Sequence, residues 1–467
     1  MSQSITRRGF MQATGTAAGM MAAAGYSPLS YAQNEKVAVA AIGTGGQGSF
    51  HLRDGLARAH NIRVVAVCDV YRPHLEGGWR NAGGGDVRKY MDYREMLDKE
   101  KGIDAVIIST PLHTHYPITM DCLDAGKFCF TEKTLCYEIE HGRNLVKKAR
   151  DVGRFVQVGH QRRYNPIYNK AVHLAWNEGV LGRINHIDCQ WHRNNDWRRP
   201  VDSDYVLSEA EKKWIPDLER HLNWRLYNAS SGGLMTELAT HQIDIANWFL
   251  DAMPTRVYGR GGIDYWRDGR EVFDNVNLTY EYEITETSRG FRKLDARSKY
   301  QIAEELNKPY KVRVMYSSIC ANAKKGCSEQ ILGDNGAFEM TEAGSLFYPE
   351  ASSPVPWAQK GRKDASQENA TVITSGGTLT LSNKARKDAK PVLVDTDKSV
   401  DQLQFEAFAN DIINGGTPKA NIMAGLKSAI CGLVGLQAMR EEREITFDPA
   451  WWTFDFETPD SNMVSLL

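Results

Sequence analysis

Hydrophobic and polar positions follow two different patterns along this chain. From Lys36 to about His160, short apolar runs typical of buried strands alternate with stretches of helical periodicity. The predicted strands are 37–42, 63–67, 105–109, 128–131 and 155–158, and two of the predicted helices are 116–125 and 138–150. Strands that alternate with helices in this way are typical of a doubly wound parallel sheet.

The pattern changes after Tyr164. Longer predicted strands follow with few helices between them, at 184–192, 272–282, 312–319 and 336–340. They predict a second α/β domain with an open, mainly antiparallel sheet. A polar segment rich in Trp and Arg (193–228) interrupts this pattern, and the Ser/Pro/Gly-rich segment 350–376 is expected to form an exposed loop. Helical periodicity returns over 402–440, and we expect the last helices to pack back on the first domain.

The first predicted strand opens into a glycine-rich turn. Residues 43–48 read Gly-Thr-Gly-Gly-Gln-Gly, and the second strand ends at Asp69, about 20 residues beyond the glycines, as in a Rossmann-type dinucleotide site. Such glycines let a pyrophosphate approach a helix N-terminus, and the acid accepts hydrogen bonds from ribose hydroxyls. A carboxylate repels a 2′-phosphate, which favours NAD, while Arg72 nearby keeps NADP as an alternative. The predicted cofactor residues are Gly43, Gly45, Gly46, Gly48 and Asp69.

The first residues resemble an export signal rather than part of a fold. Residues 6–11, Thr-Arg-Arg-Gly-Phe-Met, form a twin-arginine (Tat) pattern, a short apolar stretch follows, and Ser30 and Ala32 predict cleavage before Gln33. This stretch is too short and too rich in glycine for a membrane span, and we expect no later span. We therefore expect the Tat export machinery to recognise residues 1–32. The mature protein would be periplasmic or otherwise exported, with its dinucleotide bound beforehand and recycled in place.

Composition limits the remaining classes of function. The 467 residues carry a formal net charge of −1 and are enough for two cores, which we place at 33–160 and 161–467. Balanced charge argues against nucleic-acid binding. The eight cysteines contain no C-x-x-C pair, which argues against a zinc knuckle. Cys320 and Cys327 are close enough in sequence to pair, although we favour free thiols.

Two segments offer groups for proton transfer. The strand 128–131 leads into Glu132 and Lys133 at the sheet edge where ligands of such folds bind. Lys133 there would hydrogen-bond a substrate hydroxyl, and an ordinary surface lysine is the alternative. Further on, Glu237, His241 and Asp244 would share one face of a helix and offer a general base with its partners. A salt-bridged helix face is the competing interpretation, and too few ligands converge for a metal.

Four motifs taken in order resemble the Gfo/Idh/MocA oxidoreductases, the family of glucose–fructose oxidoreductase and inositol dehydrogenase. They are residues 43–48, Thr110-Pro111-Leu112-His113-Thr114-His115, Ala125-Gly126-Lys127 leading to Glu132-Lys133, and Gly232-Gly233 before Glu237, His241 and Asp244. The resemblance spans essentially the whole chain after the export signal. The sequence departs from the family at Thr134, where most members have Pro. The resemblance therefore does not fix the orientation of the Lys133 side chain.

The resemblance implies roles for individual residues. Lys133 matches the lysine that contacts the reacting hydroxyl and the cofactor, and His241 matches the acid/base histidine. Glu237 would tune or position this pair, and Asp244 would orient His241. Pro111, His115 and Glu132 match cofactor-side positions. A homo-oligomer is also implied.

Aromatic and basic side chains near these motifs suit a carbohydrate, because sugar rings present C–H faces and hydroxyl edges. The candidates are Arg162, Tyr164, Trp191, Trp197 and Trp224, of which we expect only a few to touch a ligand. The expected function is an NAD-dependent oxidoreductase that acts on a hydroxyl of a sugar, polyol or glycoside. A glycoside hydrolase that uses NAD transiently is one alternative, and a non-catalytic binding protein that contains a nucleotide is another.

Overall fold

The first sheet has six parallel strands. The computed structural model describes residues 36–294, 301–350, 390–392, 394 and 396–455. The order across this sheet is β3-β2-β1-β4-β5-β6, which confirms the predicted doubly wound parallel sheet. The strands are β1 Val37–Ile42, β2 Ile62–Cys68, β3 Arg88–Tyr90, β4 Ala105–Ile108, β5 Phe128–Thr131 and β6 Val156–Val158.

Both faces of the first sheet are covered. All six residues of β1 are buried, as in sheets that carry helices on each side. On one face, Val39 and its alternate neighbours pack with Phe405 and Phe408 of the helix Val400–Asn414. On the other face, Ala40 and Ile42 belong to the larger core that continues into the second domain. The helix Val400–Asn414 thus lies against the first sheet although it comes late in the chain.

The second sheet is mixed and mostly antiparallel. Its nine strands have the order β14-β13-β12-β11-β7-β10-β9-β8-β15, and β7 pairs with β10 in parallel. Alternate residues of β10 are buried, so one face of the sheet packs on the core. The strands are β7 Ile184–His192, β8 Pro254–Gly262, β9 Asn275–Ile284, β10 Tyr310–Ile319, β11 Cys327–Gly333, β12 Gly336–Thr341, β13 Gly344–Pro349, β14 Lys390–Pro391 and β15 Ile445–Thr446.

The helices connect the strands and cover the sheets. The described α-helices are Gly46–Phe50, Arg72–Asn81, Tyr93–Lys99, His115–Asp124, Ile139–Asp151, Pro166–Trp176, Glu209–Lys212, Leu218–Leu222, Thr240–Leu250, Ala303–Leu306, Val400–Asn414 and Ile422–Arg440. Two π-helical turns, His51–Leu56 and Met235–Ala239, each adjoin an α-helix. Short 3₁₀ turns occur at Leu112–Thr114, Gln161–Tyr164, Trp224–Leu226 and Pro449–Trp451.

One described helix matches a membrane span in length and composition, although the sequence predicts no later span. Ile422–Arg440 is long enough and has a mean hydropathy of 1.5 over its best window. That window is 72% buried inside the protein, which is the environment of a core helix. The predicted export signal (1–32) lies outside the described residues, as does nearly all of the predicted loop 350–376. Cys320 and Cys327 are both free thiols.

Candidate active site and cofactor cleft

The glycine turn joins β1 to the helix Gly46–Phe50, as the sequence predicts. Gly43 has a φ of +82°, a conformation that favours glycine. A Cβ on Gly43 would lie 2.7 Å from the backbone of Ser109, which follows β4, and a Cβ on Gly48 would lie 1.9 Å from the Gly43 carbonyl oxygen. The turn therefore passes over β4 and enters the helix only because these side chains are missing.

A cavity of about 370 Å³ lies beside this turn at the carboxyl ends of the strands. Gly43, Gly45, Gly46, Asp69 and Pro111 line it, whereas Gly48 is buried beneath the turn and supports it. These predicted cofactor residues thus share one cleft, which fits the dinucleotide that the turn predicts. We refer to this cavity as the nucleotide cleft.

Asp69 is held in a fixed position at the end of β2. One carboxylate oxygen accepts a hydrogen bond from the Thr44 backbone at 2.7 Å, and the other accepts one from the Tyr71 backbone at 2.9 Å. Arg72, which kept NADP as an alternative, is not part of the cleft lining. Its guanidinium lies 6.0 Å from the centre of the Tyr205 ring. This arrangement fits a free ribose hydroxyl at Asp69 better than a 2′-phosphate.

The Trp- and Arg-rich segment 193–228 covers the nucleotide cleft from the second domain. The buried Glu211 accepts a hydrogen bond from the Arg72 backbone at 3.0 Å, and the rings of Tyr71 and Tyr205 meet edge-on at 5.1 Å. These contacts tie the segment to the first domain. Its residues that line the cleft are Arg199, Trp214, His221, Leu222, Trp224 and Arg225.

Arg199 of this segment reaches the glycine turn. A Cβ built on Gly46 would lie 3.0 Å from a nitrogen of the Arg199 guanidinium. A guanidinium and a helix N-terminus therefore face the same volume, and both favour an anion there. The pyrophosphate of a dinucleotide would bind where both can contact it. Sequence reasoning noted the Arg-rich composition of the segment but assigned no role to Arg199.

A second cavity, of about 260 Å³, adjoins the first and shares lining residues with it, among them Gln47, Thr110 and Trp224. We refer to it as the catalytic pocket. The first domain contributes Lys133 and the second contributes His241, so the structure brings these two predicted residues together. The Lys133 ammonium donates a hydrogen bond to the Glu237 carbonyl oxygen at 2.8 Å. The Lys133–Thr134 peptide bond is cis.

His241 has the environment of a neutral base. Its ring is 6% exposed, and among the described residues its Nδ1 has no hydrogen-bond partner. Burial lowers the pKa of His241 well below its usual value, and the positive charge of Lys133 lowers it further. The Trp191 ring lies 5.4 Å away. An uncharged imidazole in this position is able to accept a proton.

The predicted row of Glu237, His241 and Asp244 needs a correction. Asp244 makes no hydrogen bond with His241; it accepts two from Arg163, at 2.8 and 2.9 Å, and one from Ser428 at 2.8 Å. Glu237 lies on the π-helical turn Met235–Ala239, where the angular spacing differs from that of an α-helix. Its carboxylate is held elsewhere, by the Ser231 hydroxyl at 3.1 Å and the Arg225 guanidinium at 3.2 Å.

Glu132 lines the catalytic pocket rather than the nucleotide cleft. One carboxylate oxygen lies 2.6 Å from His51 Nε2, and the other accepts a hydrogen bond from the Lys133 backbone at 2.9 Å. His51 Nδ1 lies 3.3 Å from Asp401. Burial alone would lower the pKa of His51, but the two carboxylates raise it to about 9. A charged His51 thus fixes Glu132, which in turn positions Lys133.

His115 also lines the catalytic pocket, and its place beside the cofactor stays a prediction. Its ring is buried, with Nδ1 2.8 Å from the Thr134 carbonyl oxygen and Nε2 2.9 Å from the Thr110 carbonyl oxygen. Because both nitrogens face backbone oxygens, the ring ties the segment after β4 to the segment after β5. His115 therefore shapes the site from its wall.

Two predicted substrate residues lie elsewhere. Arg162 is 2% exposed and forms ion pairs with Glu329 and Glu342 in the second domain. The buried Tyr164 hydroxyl accepts a hydrogen bond from the Ala420 backbone at 3.2 Å. Both lie on the turn Gln161–Tyr164, which runs beneath the site. The other three predicted residues, Trp191, Trp197 and Trp224, do line the catalytic pocket, as does the neighbouring Arg225. Gln161, Arg193 and Arg199, to which the sequence assigns no role, line it as well.

A dinucleotide cleft in a doubly wound domain, joined to a domain with an open sheet, defines a two-domain dinucleotide-binding protein. Residues 37–160 match the family model described as the oxidoreductase family with an NAD-binding Rossmann fold, GFO/IDH/MocA. Residues 170–289 match the C-terminal domain of the same family. Together the matches cover about half of the chain. The chain belongs to the Gfo/Idh/MocA oxidoreductase family, and its first domain is the NAD-binding domain of that family.

Curated relatives include inositol dehydrogenases. Inositol 2-dehydrogenase of Rubrobacter xylanophilus is 29% identical over 242 residues, which is 52% of this chain and 60% of that protein. The scyllo-inositol 2-dehydrogenase (NAD(+)) of Bacillus subtilis is 27% identical over 228 residues, 49% of this chain and 58% of that protein. The chain thus matches less than two thirds of the length of either relative.

Solved structures share the fold over most of the chain. The aldose–aldose oxidoreductase from Caulobacter crescentus has a TM-score of 0.62 at 16% identity and covers 88% of this chain and 100% of its own. An inositol dehydrogenase homologue from Azotobacter vinelandii, complexed with NADH and myo-inositol, has a TM-score of 0.61 at 17% identity and covers 88% of this chain and 98% of its own. At such identities the likeness establishes the fold alone.

Proposed function

We propose that this protein is an NAD-dependent oxidoreductase that acts on a hydroxyl group of a sugar, polyol or glycoside. The observation that carries the proposal is the meeting of Lys133 and His241 in a pocket that adjoins the nucleotide cleft. The inositol dehydrogenases among its relatives support a polyhydroxylated substrate. When bound, NAD supplies the hydride acceptor.

Three residues of the catalytic pocket would bind the substrate and accept its proton. The Lys133 ammonium, held at the Glu237 carbonyl oxygen, would donate a hydrogen bond to the reacting hydroxyl oxygen. Neutral His241 would take the hydroxyl proton as the neighbouring carbon loses its hydride. Trp191 offers its ring to the C–H face of the substrate beside His241.

We also propose that the cofactor stays bound between turnovers, because residues of the segment 193–228 line the nucleotide cleft opposite the first domain. The test is to dialyse the purified protein extensively, denature it and identify the released nucleotide. We expect about one NAD per chain, and release of NADP alone or of no nucleotide would contradict the proposal. Glu211→Ala should lower the retained amount by removing the contact with Arg72. Glu209→Gln, an exposed change on the same helix, is the matched control.

A cofactor retained beneath the segment 193–228 also favours a second candidate, a glycoside hydrolase that oxidises its substrate transiently. A cofactor that is not exchanged must be reoxidised in place, and a redox-neutral cycle of oxidation, elimination, water addition and reduction meets this need. Aryl glycosides distinguish the candidates. Release of the aglycone over many turnovers without accumulation of NADH would identify the hydrolase.

Export is proposed from the twin-arginine pattern at residues 6–11. Replacing Arg7 and Arg8 together by Lys should keep the full-length protein in the cytoplasm, whereas unchanged export would contradict the proposal.

Assembly into a homo-oligomer through the open sheet is proposed from the family resemblance. The side chains of Tyr258, Thr279 and Met315 are paired across β8, β9 and β10, and the two apolar ones are exposed. Analytical ultracentrifugation tests this, and a monomer at all concentrations would contradict it.

A further inference from the structure

The arginines near the catalytic pocket are, with few exceptions, paired with carboxylates. Arg163 lies 2.8 Å from Asp244, and Arg225 lies 3.2 Å from Glu237. Arg162, Arg198 and Arg270 also have carboxylate partners. In each pair the carboxylate balances the charge of the guanidinium before any ligand arrives.

Arg193 has no such partner among the described residues. It follows β7 directly and lines the catalytic pocket. Its guanidinium lies 4.6 Å from the centre of the Trp197 ring and 5.7 Å from the Trp191 ring. Its Nε is buried and makes no hydrogen bond to the described part of the chain. Burial lowers the pKa of Arg193, while nearby groups, among them Glu237, act in the opposite direction.

The charges of the pocket do not balance without a ligand. Its two carboxylates are already committed, Glu132 to His51 and Glu237 to Arg225. Within the described ranges, Lys133, Arg193 and Arg199 therefore remain without a carboxylate partner, and of these Arg199 faces the glycine turn. Arg193 is half-buried, so its guanidinium loses part of its hydration, and the two indole rings offset only part of that cost. A negative group on the ligand would complete the site.

The cofactor does not account for this charge. Arg193 contributes to the catalytic pocket and not to the lining of the nucleotide cleft, whereas Arg199 lines both and faces the glycine turn. A negatively charged group that binds Arg193 would therefore be part of the substrate and not of the cofactor. A planar guanidinium binds a carboxylate or a sulfate through paired hydrogen bonds.

We propose that the substrate is an anionic carbohydrate and that Arg193 binds its carboxylate or sulfate group. The inference rests on the proposed function, because it names the substrate class of the same pocket. Lys133 and His241 hold the reacting hydroxyl, while Arg193 binds the acid group beside Trp191 and Trp197.

Calorimetry on the protein with its bound nucleotide in the reduced form tests the inference without hydride transfer. The probes are matched pairs, D-glucuronate with D-glucose and D-galacturonate with D-galactose, and D-glucose 6-sulfate distinguishes sulfate from carboxylate. At least one acidic sugar should bind about 10–100-fold more tightly than its neutral partner. Arg193→Gln should abolish that difference, and Arg193→Lys should keep part of it. Arg260→Gln, which removes an exposed arginine on β8, should leave it unchanged.

The outcomes separate this inference from the proposed function. Equal binding of acidic and neutral sugars by the unaltered protein would overturn the inference, as would an Arg193→Gln variant that weakens both equally, or no binding of any acidic sugar. Tight binding of an acidic sugar through Arg193 without reduction of the cofactor would support the anion site and contradict the oxidoreductase. Reduction of the cofactor by neutral sugars, with no preference for acidic ones, would support the oxidoreductase and contradict the anion site.

Discussion

Lys133 and His241 carry the proposed chemistry at the scale of single residues. Because a general acid or base contributes about 10²–10⁴ in rate, Lys133→Met and His241→Ala should each lower turnover by that factor while the nucleotide stays bound. Steady-state kinetics with parallel nucleotide analysis measures both quantities. Lys147→Met and His173→Ala are controls on exposed helix positions. Near wild-type turnover in either pocket variant would remove that residue from the mechanism.

The low pKa of His241 predicts the acid side of the pH profile. A histidine whose folded pKa lies well below 6.5 remains a neutral base down to that lower pKa. Activity should therefore be retained as the pH falls through 6.5 and be lost only in more acidic solution. A profile of kcat/KM against pH measures this, and an acid limb centred at or above pH 6.5 would contradict it.

His51 predicts a change of stability on the alkaline side. Its pKa is about 9 in the folded protein, against 6.5 for an ordinary histidine, so its charge with Glu132 and Asp401 stabilises the fold. That stability is fully present below pH 6.5 and is lost as the pH rises through 9. Linkage gives about 3 kcal/mol for such a shift. Urea unfolding should show wild type losing its advantage over His51→Gln between these pH values, and a pH-independent difference would contradict the charged pair.

Two neighbouring glycines of one helix, Gly77 and Gly78, differ in how closely they pack against the glycine turn. In Arg72–Asn81, a Cβ on Gly78 would lie 2.4 Å from Thr44, whereas one on Gly77 would meet nothing within 4 Å. Gly78→Ala should displace the glycine turn, cost about 1–3 kcal/mol and reduce bound NAD. Gly77→Ala should retain NAD and gain up to about 1 kcal/mol. Melting temperature and nucleotide content measure both, and equal behaviour of the two variants would show that the turn tolerates the contact.

Elements with a clear pattern could be predicted from the sequence, and elements without one could not. β1, β5 and β7 have the predicted bounds, because each shows an apolar run or an alternation that ends at polar or turn residues. The edge strand β3 has three polar or half-buried residues and no such run. β8 contains Pro and three glycines, which are typical of turns rather than strands.

Site residues could be predicted where their signal is local. The glycine turn, Lys133 and His241 occur in short motifs with fixed spacing, and the structure places them along one continuous site. Contacts between distant segments gave no such signal. The pairing of Arg162 with Glu329 and that of His51 with Glu132 depend on how the domains and loops meet. For the same reason Arg193 emerged only from the structure.

At the scale of the whole molecule, the site belongs to both domains. The first supplies the glycine turn and Lys133, and the second supplies His241, Arg193 and the segment 193–228. The helix Val400–Asn414 returns to pack on the first sheet, and so holds the two parts in one structure. Cofactor retention and catalysis therefore both depend on how the two domains meet.

The absorbance of the bound nicotinamide tests the central claim most directly. The purified protein, with its own nucleotide and no external acceptor, is mixed with acidic and neutral sugars. We expect about one NADH per chain with a suitable sugar, reversal on addition of the corresponding keto-sugar, and a reduction about 10²–10⁴-fold slower in Lys133→Met. If no sugar in the panel reduces the bound cofactor, or if glycosides are cleaved over many turnovers without accumulation of NADH, the protein is not the oxidoreductase proposed.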